Sequence, residues 1–66
     1  MKYEINTNLI KLEMLKRGYS ISKLSKETNL GKSTISRLIN KKGITRPQTI
    51  QKICKALEIE VKDIIL

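Results

Sequence analysis

Residues 20–40 constrain this chain most. They read Ser-Ile-Ser-Lys-Leu-Ser-Lys-Glu-Thr-Asn-Leu-Gly-Lys-Ser-Thr-Ile-Ser-Arg-Leu-Ile-Asn, two short helical patterns parted by a break at Asn29, Leu30 and Gly31. The first keeps Ile21, Leu24 and Thr28 at helical spacing, and the second keeps Ile35, Leu38 and Ile39 on one side. Lys32, Ser33, Ser36, Arg37 and Asn40 share the opposite side of the second pattern. A short helix with an apolar back and a Lys/Ser/Arg/Asn front suits the major groove of duplex DNA, because Arg and Lys donate to guanine and Ser serves several bases. The bland reading of the same face is a solvated helix surface. Periodicity alone does not separate the two.

Charge does. Fourteen Lys and Arg stand against six acids, a net charge of +8, which on so short a chain points to a polyanionic partner. No acid falls between Thr28 and Leu57, whereas Lys32, Arg37, Lys41, Lys42, Arg46, Lys52 and Lys55 all do. Glu58, Glu60 and Asp63 gather near the end. Tyr3 and Tyr19 are the only aromatics. Readers of single strands stack several rings, so the scarcity favours duplex DNA.

At 66 residues the chain reads as one domain over 1–66, near the lower size limit for folding without staples. Apolar residues make up 39%, enough for one small core among short helices. Alternating β-formers are nearly absent, so the expected class is all-α. One cysteine excludes an intrachain disulfide, and with no histidine there is no all-protein zinc site. No apolar run approaches the about 18 residues of a membrane span, and no signal-peptide core opens the chain. The expected location is cytoplasmic, at the nucleoid, in a reducing compartment.

Taken in order, residues 1–5 form an N-terminal arm. Asn6 caps a first helix that Gly18 stops, and its scattered Leu9, Ile10, Leu12, Met14 and Leu15 predict substantial burial. Ser20 caps a second helix over about 21–28, and Asn29 suits a left-handed position at its end. Leu30 plugs the turn, and Gly31 caps a third helix over about 32–40. A basic loop follows. Thr45, Pro47 and Gln48 resemble a capping box for a fourth helix, whose stripe is Ile50, Ile53, Cys54 and Leu57. Residues 61–66 make a short last helix with Val61, Ile64 and Ile65 on one side.

Two apparent chemical motifs fail on inspection. Gly31-Lys32-Ser33-Thr34 looks like the tail of a phosphate-binding loop, but the glycine required five residues earlier is Lys26, and a helical pattern precedes it. Cys54 lies on an apolar stripe with no histidine to act as its base, so it reads as core. The acids are scattered and unpaired. The chain is not expected to be an enzyme, and no cofactor or small-molecule ligand is expected.

From about residue 9 to 65 the chain resembles the helix-turn-helix family of phage Cro proteins and repressors, the XRE-like family. Gly18-Tyr19-Ser20, Leu24-Ser25, Leu30 through Arg37, Asn40, Pro47 and Ile53 through Leu57 carry the resemblance. It implies a compact five-helix lambda-repressor-like domain with helix 3 in the major groove and dimeric binding to a near-palindromic operator. By position, Lys32, Ser33 and Arg37 fall where the family reads bases, with Ser36 beside them. Ser20, Ser22, Lys23, Thr34, Asn40, Lys41, Lys42, Thr45 and Arg46 fall where the DNA backbone is gripped, Arg46 alternatively entering the minor groove. Three departures bear on this. Ile21 replaces the usual Gln at the start of helix 2, so Ser20, Ser22 or Lys23 must supply its phosphate contact. Ile39 and Met14 replace a common Glu–Arg pair, an exchange that is neutral or stabilising when both partners change. Lys41-Lys42 replaces the usual Gly after helix 3, leaving Gly43 to make the turn.

The leading expectation is a sequence-specific transcription regulator of the phage or prophage repressor type, a homodimer joined through Val61, Ile64, Ile65 and Leu66. The alternatives are a protein-interaction module, such as an antitoxin on the same fold, and a nonspecific architectural DNA binder.

Overall fold

The first two helices begin and end where their capping residues place them. In the computed structural model, which describes residues 3–40 and 44–66, the chain runs β1 (Tyr3–Glu4), α1 (Thr7–Arg17), α2 (Ile21–Thr28), α3 (Lys32–Asn40), β2 (Ile44–Thr45), α4 (Pro47–Leu57) and α5 (Val61–Ile64). The side chain of Asn6 accepts the Leu9 amide at 3.1 Å, and Ser20 Oγ accepts the Lys23 amide at 3.1 Å. Each satisfies one of the donors that a helix start leaves open. Gly18 ends α1 at φ 68°, where the Tyr19 amide closes back on the Met14 carbonyl at 2.8 Å. Asn29 ends α2 at φ 61°, a left-handed conformation that its short polar side chain tolerates.

The five helices of the described residues enclose one core. Ile10 from α1, Leu24 from α2, Ile35 from α3, Ile50, Ile53 and Leu57 from α4, and Ile64 from α5 are all essentially inaccessible to solvent. α2 packs on both α3 and α4, and α1 packs on α3 and α5. Met14 and Ile39 are both buried members of the same cluster, so the two positions that depart from the family's charged pair are apolar core here. Leu30 is half-buried against that cluster and seals the α2–α3 turn.

The N-terminal arm is a strand. Tyr3 and Glu4 pair antiparallel with Thr45 and Ile44 on one side. On the other side Ile5 bridges Ile65, the Leu66 amide donates to the Glu4 carbonyl at 3.0 Å, and the Asn6 amide donates to the Ile64 carbonyl at 2.7 Å. Ile5 is 2% exposed, so the arm contributes to the core.

Three expectations need correction. α1 buries only Ile10 and Met14, while Leu12 and Leu15 stand in solvent. An apolar set spread round a helix does not say which members find neighbours. The N-cap of α4 is Arg46, with no side-chain capping bond; Pro47 takes the first turn, and Thr45 lies in β2. The pairing of β2 with β1 fixes Thr45 in the ladder and moves the helix start one residue on. The last helix is a single turn, and Ile64 faces inward with no exposure. Ile64 is therefore not a surface residue available to a second protomer.

Candidate nucleic-acid interface

α3 divides cleanly between core and solvent. Ile35, Leu38 and Ile39 are buried; Lys32, Ser33, Thr34, Arg37 and Asn40 are exposed, and Ser36 is half-buried between them. The four residues expected to face bases, Lys32, Ser33, Ser36 and Arg37, thus share one outward face. Asn40 Nδ2 donates to Ser36 Oγ at 3.2 Å. That bond takes one lone pair of Ser36 and leaves its hydroxyl proton to an outside acceptor.

The turn before α3 is held by side chains. Thr28 is buried, and its hydroxyl donates to the Leu24 carbonyl at 2.7 Å while accepting the Leu30 amide at 3.3 Å. Ser25 Oγ donates to the Leu30 carbonyl. α2 is thereby tied to the first residue beyond its own stop. Ser25 and Thr28 were not expected as positioning residues. By spacing alone Thr28 belongs to the apolar stripe of α2. The legible signal was two hydroxyls within five residues of a break, where local side-chain bonds compete with backbone ones.

The acids near this surface are engaged elsewhere. Glu13 meets Lys16 at 3.4 Å and Arg17 at 3.9 Å, Arg17 also meets Glu58 at 3.2 Å, and Glu27 meets Lys23 at 3.4 Å. Among the described residues, Lys32, Arg37, Arg46, Lys52 and Lys55 take part in no ion pair. Lys52 and Lys55 share a surface depression with Glu27 and Glu58, whereas Lys32 and Arg37 on α3 itself have no ion-pair partner among the described residues, so the outer face of α3 stays positive.

The residues expected at the DNA backbone are distributed unevenly. Ser20 is exposed but caps its own helix. Lys23 is exposed, pairs with Glu27 and sits 5.9 Å from the centre of the Tyr19 ring. Ser22 is exposed. Ile21 is half-buried against the core, as an apolar residue there must be. Arg46 is exposed at the start of α4. Thr45 is 8% exposed, so its side chain is not presented for a phosphate contact. Lys41 and Lys42 lie outside the described residues. Of the residues assigned to a dimer contact, Val61 and Leu66 are exposed, Ile65 is half-buried in its bridge to Ile5, and Ile64 is core.

Cys54 is buried at 4% exposure, as its stripe predicts. Burial pushes its thiol upward from the usual range, and the carboxylates of Asp63 and Glu60 add to the effect. Such a thiol is a poor nucleophile at neutral pH. None of the described helices is long and apolar enough to cross a membrane.

Compared with curated proteins and with solved structures, the chain gives no significant match. The profile of one family does match, over residues 9–65, from within the first turn of α1 through α5. The chain belongs to the Cro/C1-type HTH DNA-binding domain family and is a DNA-binding transcription regulator.

Proposed function

We propose that the protein is a sequence-specific repressor of the Cro or prophage type, which binds a near-palindromic duplex operator as a homodimer with α3 in the major groove. The observation that carries this reading is the outward face of α3. Lys32, Ser33, Ser36 and Arg37 lie together there, and neither basic side chain has an acidic neighbour within ion-pair distance among the described residues. Arg37 and Lys32 supply donors to guanine O6 and N7. Ser36, already bonded by Asn40, supplies a donor to a base acceptor beside them.

Backbone contacts come from Ser22, Lys23, Thr34, Asn40, Lys41, Lys42 and Arg46, with Ser20 dividing its hydroxyl between its own helix and phosphate. Ser22 takes the place of the missing Gln brace, since Lys23 is already drawn toward Glu27. The dimer contact uses Val61, Ile65 and Leu66, the part of the C-terminal segment that is not core.

Selection of bound duplexes from a random library tests the proposal. An inverted-repeat consensus is the expected result; recovery without sequence enrichment sinks it and leaves a nonspecific architectural binder or a protein-interaction module.

A further inference from the structure

Each of α2, α3 and α4 separates an apolar side from a polar one. α1 does not. Ile10 and Met14 face the core, and at the helical angle of about 100° per residue Leu12 and Leu15 project to the opposite side. They are 50% and 78% exposed. Lys11 and Lys16 border them, both in solvent. Lys16 leans toward Glu13 at 3.4 Å, and Lys11 takes part in no ion pair among the described residues. The result is an apolar pair at i, i+3 spacing with a positive charge at each margin.

A second copy of this chain is a poor occupant for that face. Each chain carries a net charge of +8, and α1 against α1 would set Lys11 and Lys16 near their own counterparts. Leucines at i, i+3 are instead the anchor pattern by which helices pair face to face, and the lysine margins call for carboxylates.

We propose that the outer face of α1 docks an acidic amphipathic helical segment of another protein, with Leu12 and Leu15 receiving its apolar stripe and Lys11 and Lys16 its carboxylates. α1 meets α3 through its inner side, so a segment docked on the outer side leaves the polar face of α3 uncovered. The surface therefore fits a partner that engages the protein while α3 is occupied. This inference does not depend on what α3 binds.

The test titrates the full chain into a labelled synthetic helical peptide with Leu at i, i+3 and i+7 and Glu at its margins, read by fluorescence anisotropy. The expected result is saturable binding that weakens by about tenfold or more, about 1.4 kcal/mol, for L12S/L15S and again for K11E/K16E. A scrambled peptide of the same composition should bind at least about tenfold more weakly. Circular dichroism should give unchanged helix content for both variants, since all four side chains are exposed. Absence of saturable binding, equal binding of the scrambled peptide, or undiminished binding by L12S/L15S overturns the proposal. So does a wild-type dimer in sedimentation that L12S/L15S converts to monomer, which would assign the face to self-association. Leu12- and Leu15-dependent binding to phosphatidylglycerol vesicles, with no peptide binding, would assign it to a membrane surface and overturn it too.

Discussion

The amide of Leu30 donates to the hydroxyl of Thr28 at 3.3 Å across the turn between α2 and α3. The same hydroxyl donates to the Leu24 carbonyl at 2.7 Å, so a single buried oxygen joins the last turn of one helix to the segment that launches the next. Ser25 holds the Leu30 carbonyl from the same side. The angle between α2 and α3 is therefore set partly by two hydroxyls, and not by apolar packing alone.

Thr28→Val keeps the shape of the side chain and removes these bonds together with a longer one to the Ser25 carbonyl at 3.4 Å. It should cost about 1–3 kcal/mol, because the half-buried Leu30 amide and the Leu24 carbonyl lose their partner. Thr28→Ser should cost less. Denaturant melts of the two variants check this, and a Val variant as stable as wild type would remove the hydroxyl from the account of the turn.

Arg37 and Lys42 should respond differently to truncation. Arg37→Ala should cost about 1–3 kcal/mol of operator affinity and relax discrimination at one position in each half-site. Lys42→Ala, as a phosphate contact, should weaken operator and random duplex alike and lower the salt slope by about one. Gel-shift titrations over a salt series read both. Equal losses on operator and random DNA for Arg37→Ala would end its role in base readout.

Leu66 is 72% exposed and tied down through its backbone, so its substitution tests the proposed dimer contact without disturbing the core. Leu66→Glu should leave thermal stability within about 0.5 kcal/mol. It should also reduce the sedimenting mass to that of a monomer. Ile64→Glu would be uninformative, since it unfolds the core first. An unchanged mass for Leu66→Glu would move the interface elsewhere.

The raised pKa of Cys54 has a definite sign. Its folded value lies above its unfolded one, so folding favours the protonated thiol. That contribution is complete below the unfolded value, about pH 9, and declines as pH rises through the folded value. Wild type should therefore lose more stability than Cys54→Ala on going from neutral to more alkaline pH, by matched denaturant melts. Parallel curves would show that the thiol titrates no differently in the folded chain.

Most of the fold was legible because its boundaries are local chemistry. Asn6, Gly18, Ser20 and Asn29 act within one helical turn of themselves, and each stands where its residue type predicts. The faces of α2, α3 and α4 follow from spacing alone. α1 and the C-terminal segment were less legible for a single reason: their neighbours are distant in sequence. Leu15 and Met14 are equally apolar, and only the position of α3 and α5 decides that one is buried and the other is not. Thr45 looked like a cap until β1 claimed it, and Ile64 looked like a surface anchor until Ile5 and α1 enclosed it. On α3 the candidate site residues lie on one face as spacing placed them, while the hydroxyl bonds that orient them needed the turn's geometry.

The seam formed by Glu4, Ile5 and Asn6 with Ile64, Ile65 and Leu66 also has a mechanical consequence. The two ends of the described chain leave it side by side, at the Glu4–Leu66 end. A load applied across them pulls the paired segments apart like a hairpin, so its bonds are stressed one after another and not together. The Leu66–Glu4 bond takes the force first, then the Ile5–Ile65 pairing, then Asn6–Ile64. Force on the two ends therefore opens this seam bond by bond before it reaches Ile64 in the core, while Tyr3 and Glu4 stay held by β2 on their other side.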